Sequence, residues 1–153
     1  MATCTTRNFG ALEYGDKSVI RFPAGLPGFE NEREFVFIQQ PQHRPLLFLQ
    51  SLSTPRLCFV VVPVLSIDPD YELQMRAEDL ELIGFPPTAQ PRIGRDVFCG
   101  AIVSAGDEDA PTANLRAPVV IALQTLVAVQ AIQEEMAYSH CHRLEQHEMV
   151  AAC

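Results

Sequence analysis

The stretch Leu57-Cys-Phe-Val-Val-Val-Pro63, an unbroken apolar run that ends at a proline, decides the fold of this chain. Its β-branched and aromatic residues favour a strand over a helix. Because polar residues do not alternate with apolar ones, we expect both faces of this strand to be buried. A proline cannot donate a hydrogen bond inside a sheet, so the strand should end at Pro63. The stretch therefore predicts a central strand.

Short apolar runs of the same kind lie on both sides of this strand, separated by turns. They cover residues 9–14, 18–22, 34–38, 46–52, 97–103, 119–123 and 126–132. We expect the first two runs to form a hairpin through Gly15-Asp16-Lys17, and the last two to form a second hairpin. A spacing of about 8–12 residues between short strands is typical of closed or nearly closed antiparallel structures.

One short helix is predicted over residues 77–83, where Leu80 and Ile83 share a face and Gly84 follows as a stop signal. The composition of residues 134–153 is compatible with a second one. Strands and helices do not alternate as a parallel sheet requires. We therefore expect a mostly β fold, a compact antiparallel β-barrel-like single domain with one or two short helices. The domain spans residues 1–153, with its core at 9–144 and a mobile tail at 145–153.

The composition is that of a globular chain with an acidic surface. Hydrophobic residues make up 48% of the 153 residues, enough for a core, and the formal net charge is −8. Lys17 is the only lysine, and lysine and arginine form no cluster. Because direct binding to nucleic acid or to an anionic membrane needs such a cluster, neither partner is expected. An acidic chain is better suited to a basic protein partner.

No targeting or membrane-spanning segment is predicted. Residues 1–8 are polar and lack the apolar core of a secretory signal. The longest apolar run, residues 57–65, is interrupted by Pro63 and is far shorter than the ~20 residues of a membrane helix. The five cysteines are odd in number and irregularly spaced, which does not indicate a disulfide framework. We expect a cytoplasmic monomer.

Catalytic motifs are lacking from the sequence. Neither the P-loop nor the dinucleotide-binding glycine pattern occurs. Cys58 and Cys99 lie inside apolar runs, where burial disfavours the reactive thiolate. We therefore assign no catalytic residue and no cofactor, and interpret the chain as a binding protein and not an enzyme. A small enzyme with a pocket at the barrel mouth remains an alternative.

Potential metal ligands are concentrated near the C-terminus: His140, Cys141, His142, His147 and Cys153. Cys141 and Cys153 are twelve residues apart, unlike the closely spaced cysteine pairs of structural zinc sites. In a strand, His140 and His142 would share one face while Cys141 points away. We interpret the segment as a polar terminus without a metal site. A metal- or redox-responsive domain is the alternative.

The stretch Phe22-Pro-Ala-Gly-Leu-Pro-Gly-Phe-Glu30 contains the first candidate contact residues. Two prolines and two glycines in nine residues preclude regular structure. Leu26, Pro27 and Phe29 are nevertheless apolar. Apolar residues on such a loop either cover the end of the barrel or present a contact surface, and both interpretations are kept.

A second group of candidates is acidic. Six carboxylates lie within the fourteen residues 68–81: Asp68, Asp70, Glu72, Glu78, Asp79 and Glu81. Their spacing is not that of a calcium-binding EF-hand loop. They indicate either a solvated acidic face or a docking surface for a basic partner. Tyr71, between two carboxylates, is a candidate interface anchor because aromatic residues are enriched at binding hot spots.

Three polar residues complete the candidate set. Gln50 and Ser51 interrupt an otherwise apolar strand and are interpreted as an exposed rim. Asn114 precedes the run at 119–123. Because asparagine side chains often accept hydrogen bonds from the backbone just beyond them, we expect Asn114 to stabilise a turn, with partner contact as the alternative.

Four segments, in this order and at these distances, resemble the flagellar assembly factor FliW family. They are Phe22-Pro-Ala-Gly-Leu-Pro-Gly-Phe-Glu30, Leu49-Gln-Ser-Leu52, Phe59-Val-Val-Val62 with Asp68-Pro-Asp-Tyr-Glu72, and Asn114-Leu-Arg-Ala-Pro-Val-Val-Ile121. The first and the last are the most specific. The resemblance runs from about Leu12 to about Leu144, nearly the whole chain.

The resemblance implies a compact β-barrel-like fold and a chaperone-type role in bacterial flagellum biogenesis, without enzymatic activity. It implies that the chain binds flagellin in the cytoplasm and also binds CsrA, a translational repressor. Free flagellin would occupy the chain, and export of flagellin would release it to capture CsrA. CsrA has a basic surface, so an acidic antagonist is electrostatically favourable.

The chain departs from the family pattern in two places. Ala113 and Ala122 stand where the family commonly has Val and Asn. The C-terminal segment reads Tyr138-Ser-His-Cys-His-Arg-Leu144, where the family often has Tyr-Ser-Ile-Arg-His-Pro-Leu. These differences bear on whether both partners are retained.

Overall fold

A nine-stranded antiparallel sheet forms the body of the chain in the computed structural model, which describes residues 1–105, 110–134 and 137–145. In chain order the strands are β1 Ala2–Thr6, β2 Gly10–Tyr14, β3 Ile20–Arg21, β4 Glu34–Gln39, β5 Leu47–Ser51, β6 Cys58–Pro63, β7 Val97–Ser104, β8 Thr112–Ala113, β9 Val119–Ala122, β10 Ala128–Gln130 and β11 His142–Arg143. The sheet order is β10-β9-β7-β6-β5-β4-β3, and β8 pairs with both β7 and β11. β1 and β2 form a separate hairpin.

The predicted central strand is confirmed as β6. It pairs with β5 on one side and β7 on the other, with Val61 opposite both Leu47 and Ile102. Val61 and Val62 are fully buried, each against a different face of the sheet. The strand ends at Pro63, where the backbone continues into a short helix.

The sheet buries both faces and thereby creates two hydrophobic clusters. On one face Val62, Cys99 and Val120 pack beneath residues 71–85 and the C-terminal segment. On the other face Val61 and Ile121 pack against Phe22, Phe35 and their neighbours, because β3 and β4 curl over the sheet. This curling produces the barrel-like shape.

The two ends of the sheet approach one another without forming a closed barrel within the described residues. A single parallel bridge joins Arg21 to Val127, and the Arg21 N–H donates to the Leu126 carbonyl at 2.9 Å. The predicted fold class, a mostly β antiparallel domain with short helices, is confirmed. The barrel description holds only loosely, since the described strands do not complete a ring.

The first predicted hairpin is wrong, whereas the second is confirmed as β9 and β10. β2 pairs with β1, whose alternating threonines did not indicate a strand, and not with β3. Residues 16–18 form a 3-10 turn, and Ile20 then pairs with Phe35 of β4. Ile20 is 2% exposed, so burial under the curled sheet directs β3 to β4 instead of back to β2.

The predicted helix is confirmed as α2 Ala77–Leu82, and a further turn, α1 Val64–Ile67, precedes it. α2 ends where the Phe85 N–H donates to the Leu80 carbonyl at 2.9 Å. The predicted mobile tail lies outside the described residues from position 146 onward. The suggested second helix at 134–153 is not found in the described stretch 137–145, which contains β11, and its remaining positions 135–136 and 146–153 lie outside the described residues. No helix in the described ranges is long and apolar enough to cross a membrane.

Candidate functional site

The predicted contact residues fall into two groups, on opposite faces of the sheet. One group lies around Tyr71, which is itself a member of the cluster beneath residues 71–85: Asp68, Asp70, Tyr71, Glu72 and Asn114. The other lies around the end of the curled sheet: Leu26, Pro27, Phe29, Gln50 and Ser51. The structure therefore provides two separate surfaces and not one combined site.

Residues 26–29 form a tight turn that presents an aromatic ring. The Phe29 N–H donates to the Leu26 carbonyl at 2.7 Å, and Pro27 and Gly28 occupy the corner, where Gly28 has φ of 84°. Leu26 is 2% exposed and covers the end of the core, whereas Phe29 is 41% exposed and rests edge-on against Phe59, with ring centroids 5.4 Å apart. Leu26 therefore covers the core, as one interpretation expects, and Phe29 is exposed and stays a candidate contact residue.

The Glu32 carboxylate fastens this loop to the end of β5. It accepts hydrogen bonds from the hydroxyls of Ser51 at 2.7 Å and Ser53 at 2.6 Å, and from the Thr54 hydroxyl. The hydrogen bonds from Ser53 and Thr54 lower the pKa of Glu32 below its ordinary value. A short network thus fixes the position from which Phe29 is presented.

The interpretation of Gln50 and Ser51 as an exposed rim is wrong. Gln50 is fully buried and Ser51 is 1% exposed. The Gln50 side-chain amide donates to the Ser51 carbonyl at 3.0 Å and to the Pro55 carbonyl at 3.2 Å, and its own carbonyl oxygen has no partner in the described part of the chain. These two polar residues stabilise the turn after β5 from inside the structure. They support the contact surface around Phe29 and are not part of it.

Tyr71 is also buried, which contradicts its assignment as an exposed interface anchor. It is 6% exposed, its hydroxyl donates to the Leu115 carbonyl at 2.6 Å, and its ring stacks on Tyr138 with centroids 4.2 Å apart. Burial raises the pKa of the Tyr71 phenol above its ordinary value. Tyr71 therefore holds the acidic segment onto the core.

The exposed carboxylates of this face form what we call the acidic ridge: Asp70, Glu72, Glu78 and Glu81. The other two carboxylates of the segment are turned inward. Asp68 is half-buried and accepts the Asp70 N–H at 2.9 Å, while Asp79 is 3% exposed and pairs with Arg76 at 3.2 Å. Four of the six carboxylates are thus exposed, and one of them, Glu78, also pairs with Arg76 at 3.3 Å.

The C-terminal segment holds the acidic ridge in place through hydrogen bonds and an ion pair. The Tyr138 hydroxyl accepts the Glu72 N–H at 2.7 Å, and the fully buried Gln133 accepts the Gln74 N–H at 2.7 Å. Glu134 pairs with Arg76 at 3.3 Å. The segment in which this chain departs from the family pattern therefore begins in direct contact with the ridge.

The predicted turn at Asn114 is confirmed. Its side-chain oxygen accepts the N–H groups of Arg116 at 3.2 Å and Ala117 at 3.0 Å, immediately before β9. The side chain is half-buried. Leu115, which follows it, accepts the Tyr71 hydroxyl, so this turn also supports the ridge from beneath.

The remaining candidates are the potential metal ligands near the C-terminus and the two cysteines inside strands. His147 and Cys153 lie outside the described residues, and the described part of the chain contains no group of three or more potential ligands able to hold a metal ion. Burial raises the pKa of Cys58 to about 11 and that of Cys99 to about 12. These two thiols are therefore protonated at neutral pH.

Sequence reasoning missed an apolar cavity of about 390 Å³ at the open end of the curled sheet. Phe37, Phe98 and Ile121 point into it from three different strands, and Lys17 and Ser18 are its polar lining residues. The alternation of these residues along their strands was a signal for a shared face. The sequence did not show that this face stays open at one end.

Comparison with known proteins identifies the family. The model of the FliW protein family matches residues 3–144. A flagellar assembly factor FliW of Heliobacterium modesticaldum is 36% identical over 91% of this chain and 88% of its own length, and one of Geobacillus kaustophilus is 34% identical over 91% and 92%. A crystal structure of the flagellar assembly factor FliW superposes with a TM-score of 0.79 at 33% identity, covering 94% of this chain and 97% of that one. The chain therefore belongs to the FliW family of flagellar assembly factors.

Proposed function

We propose that this chain binds flagellin in the cytoplasm and antagonises the translational repressor CsrA by direct protein binding. The family match over residues 3–144 is the observation that carries the proposal. In this scheme unexported flagellin occupies the chain. Export of flagellin releases the chain to capture CsrA, which then no longer represses flagellin translation. The chain acts as a monomer, and it contacts neither nucleic acid nor a membrane directly.

We assign the acidic ridge to CsrA. Its four exposed carboxylates and the net charge of −8 support attraction to a basic protein surface. Asp68, Tyr71 and Asn114 act from beneath by fixing the backbone that carries the ridge. Exposed charges of this kind mainly accelerate association and make it sensitive to salt.

Pro27 and Phe29 are proposed as an additional apolar contact. Their turn is exposed at its tip and fixed at its base. Leu26 anchors the turn in the core. Ser51 anchors it by donating to the Glu32 carboxylate, and the Gln50 amide in turn donates to the Ser51 carbonyl. A rigid aromatic contact loses little conformational entropy on binding, which favours its use at an interface.

The test compares CsrA binding by two variants of equal charge. The double variant Asp70→Asn, Glu72→Gln removes two ridge charges, and the control Glu13→Gln, Asp16→Asn removes two charges elsewhere on the surface. An exposed ion pair contributes up to about 1 kcal/mol. Isothermal titration with CsrA from the same organism should therefore show about 5- to 30-fold weaker binding for the ridge variant and little change for the control.

Salt and flagellin supply the complementary measurements. Raising the ionic strength from about 0.05 to 0.5 M should weaken CsrA binding by wild type more than by the ridge variant, because screening acts on exposed charges. Addition of flagellin should displace CsrA. If wild type binds neither purified protein, the proposal fails; equal weakening by the ridge and control variants would remove the assignment to the ridge alone.

A further inference from the structure

Two apolar grooves meet at the open end of the curled sheet. The larger is the cavity of about 390 Å³ described above, and the smaller, of about 290 Å³, is lined by Pro63, Leu65 and Ile93 among others. Phe98 and Leu123 line both grooves and form the wall between them. We call this pair of cavities the mouth grooves.

The mouth grooves place large apolar side chains in contact with solvent. Leu123 is 43% exposed and Leu65 is 39% exposed, and Phe98 between them is half-buried. Isolated exposed leucines are ordinary, but contiguous apolar surface next to open cavities is typical of interaction sites. A polypeptide suits the site better than a small molecule, because two connected grooves offer one extended surface.

Two basic side chains border the mouth grooves in a chain whose net charge is −8. Lys17 lines the larger groove, and Arg95 lines a cleft beside Leu123. Within the described ranges neither side chain has an ion-pair partner. Asp96, the nearest acidic neighbour in that cleft, is engaged by the Arg92 N–H at 2.9 Å, and Asp16 precedes Lys17 in the chain. The surface therefore complements a partner segment that combines apolar side chains with carboxylates.

The form of the grooves favours a helix over an extended strand. Most of the strands that line them, namely β4, β5, β6, β7 and β9, already pair with neighbours on both sides. The exception is β3, the two-residue end strand that contributes Ile20, and its Arg21 N–H already donates to the Leu126 carbonyl at 2.9 Å. An incoming strand therefore finds little free edge to join. Two grooves with a shared wall instead match side chains at positions i and i+3, i+4 or i+7 on one face of a helix.

We propose that the mouth grooves bind an amphipathic helix of flagellin. Aliphatic side chains of this helix fill the two grooves on either side of Phe98 and Leu123, and a carboxylate of the helix pairs with Lys17. The assignment rests on the proposed function in taking flagellin as the partner. It places flagellin at the mouth grooves and CsrA at the acidic ridge.

The experiment measures flagellin and CsrA binding by two groove variants and two controls. Leu123→Ser removes the shared wall, and Ile132→Ser is its control, since Ile132 is 38% exposed and lies outside both grooves. Lys17→Glu reverses the rim charge, and Arg56→Glu does the same at an exposed turn between β5 and β6. Purified flagellin and CsrA from the same organism are the probes, with isothermal titration as the readout.

We expect Leu123→Ser to weaken flagellin binding at least tenfold and Lys17→Glu at least threefold. Both controls should stay within twofold of wild type, and all four variants should bind CsrA as wild type does. Since the replaced side chains are exposed, circular dichroism should show unchanged folding, and Lys17→Glu keeps the test valid if Leu123→Ser does not fold.

Three results would overturn the proposal. If wild type binds flagellin and both groove variants bind it equally well, the helix lies elsewhere and the proposed function still stands. If wild type does not bind flagellin at all, the flagellin part of the proposed function fails together with this inference. If sedimentation shows wild-type dimers that Leu123→Ser abolishes without affecting flagellin binding, the grooves belong to a second copy of the chain.

Discussion

The loop of residues 22–30 contains two glycines, Gly25 and Gly28. An added methyl group should disturb the loop more at Gly25. Its φ is +67°, in the left-handed region that side chains other than glycine rarely adopt. A Cβ built there would lie 2.5 Å from the Glu30 carbonyl oxygen and 2.6 Å from the Glu30 Cα. Because both atoms belong to the backbone, no side-chain rotation relieves the overlap. The variant Gly25→Ala must therefore shift the loop that carries Phe29.

Gly28 supplies the matched control within the same loop, residues 22–30. Its φ is +84°, but a Cβ built there meets no atom within 4 Å. Gly28→Ala should therefore cost only the backbone penalty of about 1–2 kcal/mol. Gly25→Ala adds the overpacking cost of about 1–3 kcal/mol. For a chain of this length that difference corresponds to an additional fall in Tm of about 2–12 °C.

Thermal and urea unfolding of the two variants, followed by circular dichroism, measure this difference directly. Gly25→Ala should unfold at the lower temperature and the lower urea concentration. Equal midpoints for the two variants would refute the reasoning, because they would mean that the loop accommodates a side chain at Gly25 without displacing the Glu30 backbone. A lower midpoint for Gly28→Ala would refute it as well.

Three further predictions concern buried and hydrogen-bonded groups. Tyr71→Phe should lower the free energy of unfolding by about 1–3 kcal/mol, since the Leu115 carbonyl loses its buried donor; an unchanged urea midpoint would contradict this. Because hydrogen bonds lower the pKa of Glu32, its contribution to stability is present above the unfolded carboxyl pKa of about 4.3 and is lost as pH falls through the lower folded value. Wild type should therefore lose stability more steeply than Glu32→Gln below about pH 4.3; parallel curves would exclude this role. Burial raises the pKa of Cys99 to about 12, so iodoacetamide near neutral pH should alkylate the exposed Cys141 and spare Cys99, as peptide mass spectrometry can check.

The sequence allowed prediction of those elements whose local pattern agrees with their burial. β6 is apolar at every position and lies at the centre of the sheet, and α2 has its apolar pair on the face that packs against the core. Asn114 forms its turn through neighbouring backbone groups. In each case the deciding interaction is either local or a simple consequence of apolar content, so one sequence is sufficient.

The errors arose where distant contacts determine the outcome. Gln50 and Ser51 are polar, which suggests surface positions, yet both are buried. The Gln50 amide nitrogen donates to carbonyls of the following turn, and the Ser51 hydroxyl donates to a carboxylate nineteen positions earlier. The carboxylates on both sides of Tyr71 suggest an interface anchor. Its hydroxyl instead donates a hydrogen bond to the Leu115 carbonyl, forty-four positions later. The sequence shows which polar groups need hydrogen-bond partners, but it does not show where in the fold those hydrogen-bond partners lie.

The end of α2 lies between the two proposed surfaces and offers a way for one proposed partner to exclude the other. Glu78 and Glu81 of the acidic ridge lie on α2, and the residues that follow it, Ile83 to Phe85, line a cleft shared with Ala122 and Arg95 beside the mouth grooves. A six-residue helix is only about 9 Å long. A standard protein interface covers about 800 Å² per partner, which is roughly 30 Å across. An interface of that width centred on the ridge extends past the end of α2 toward the cleft beside the mouth grooves. If flagellin occupies the mouth grooves as proposed, contact between the two partners at this cleft would make their binding mutually exclusive without a conformational change in the chain.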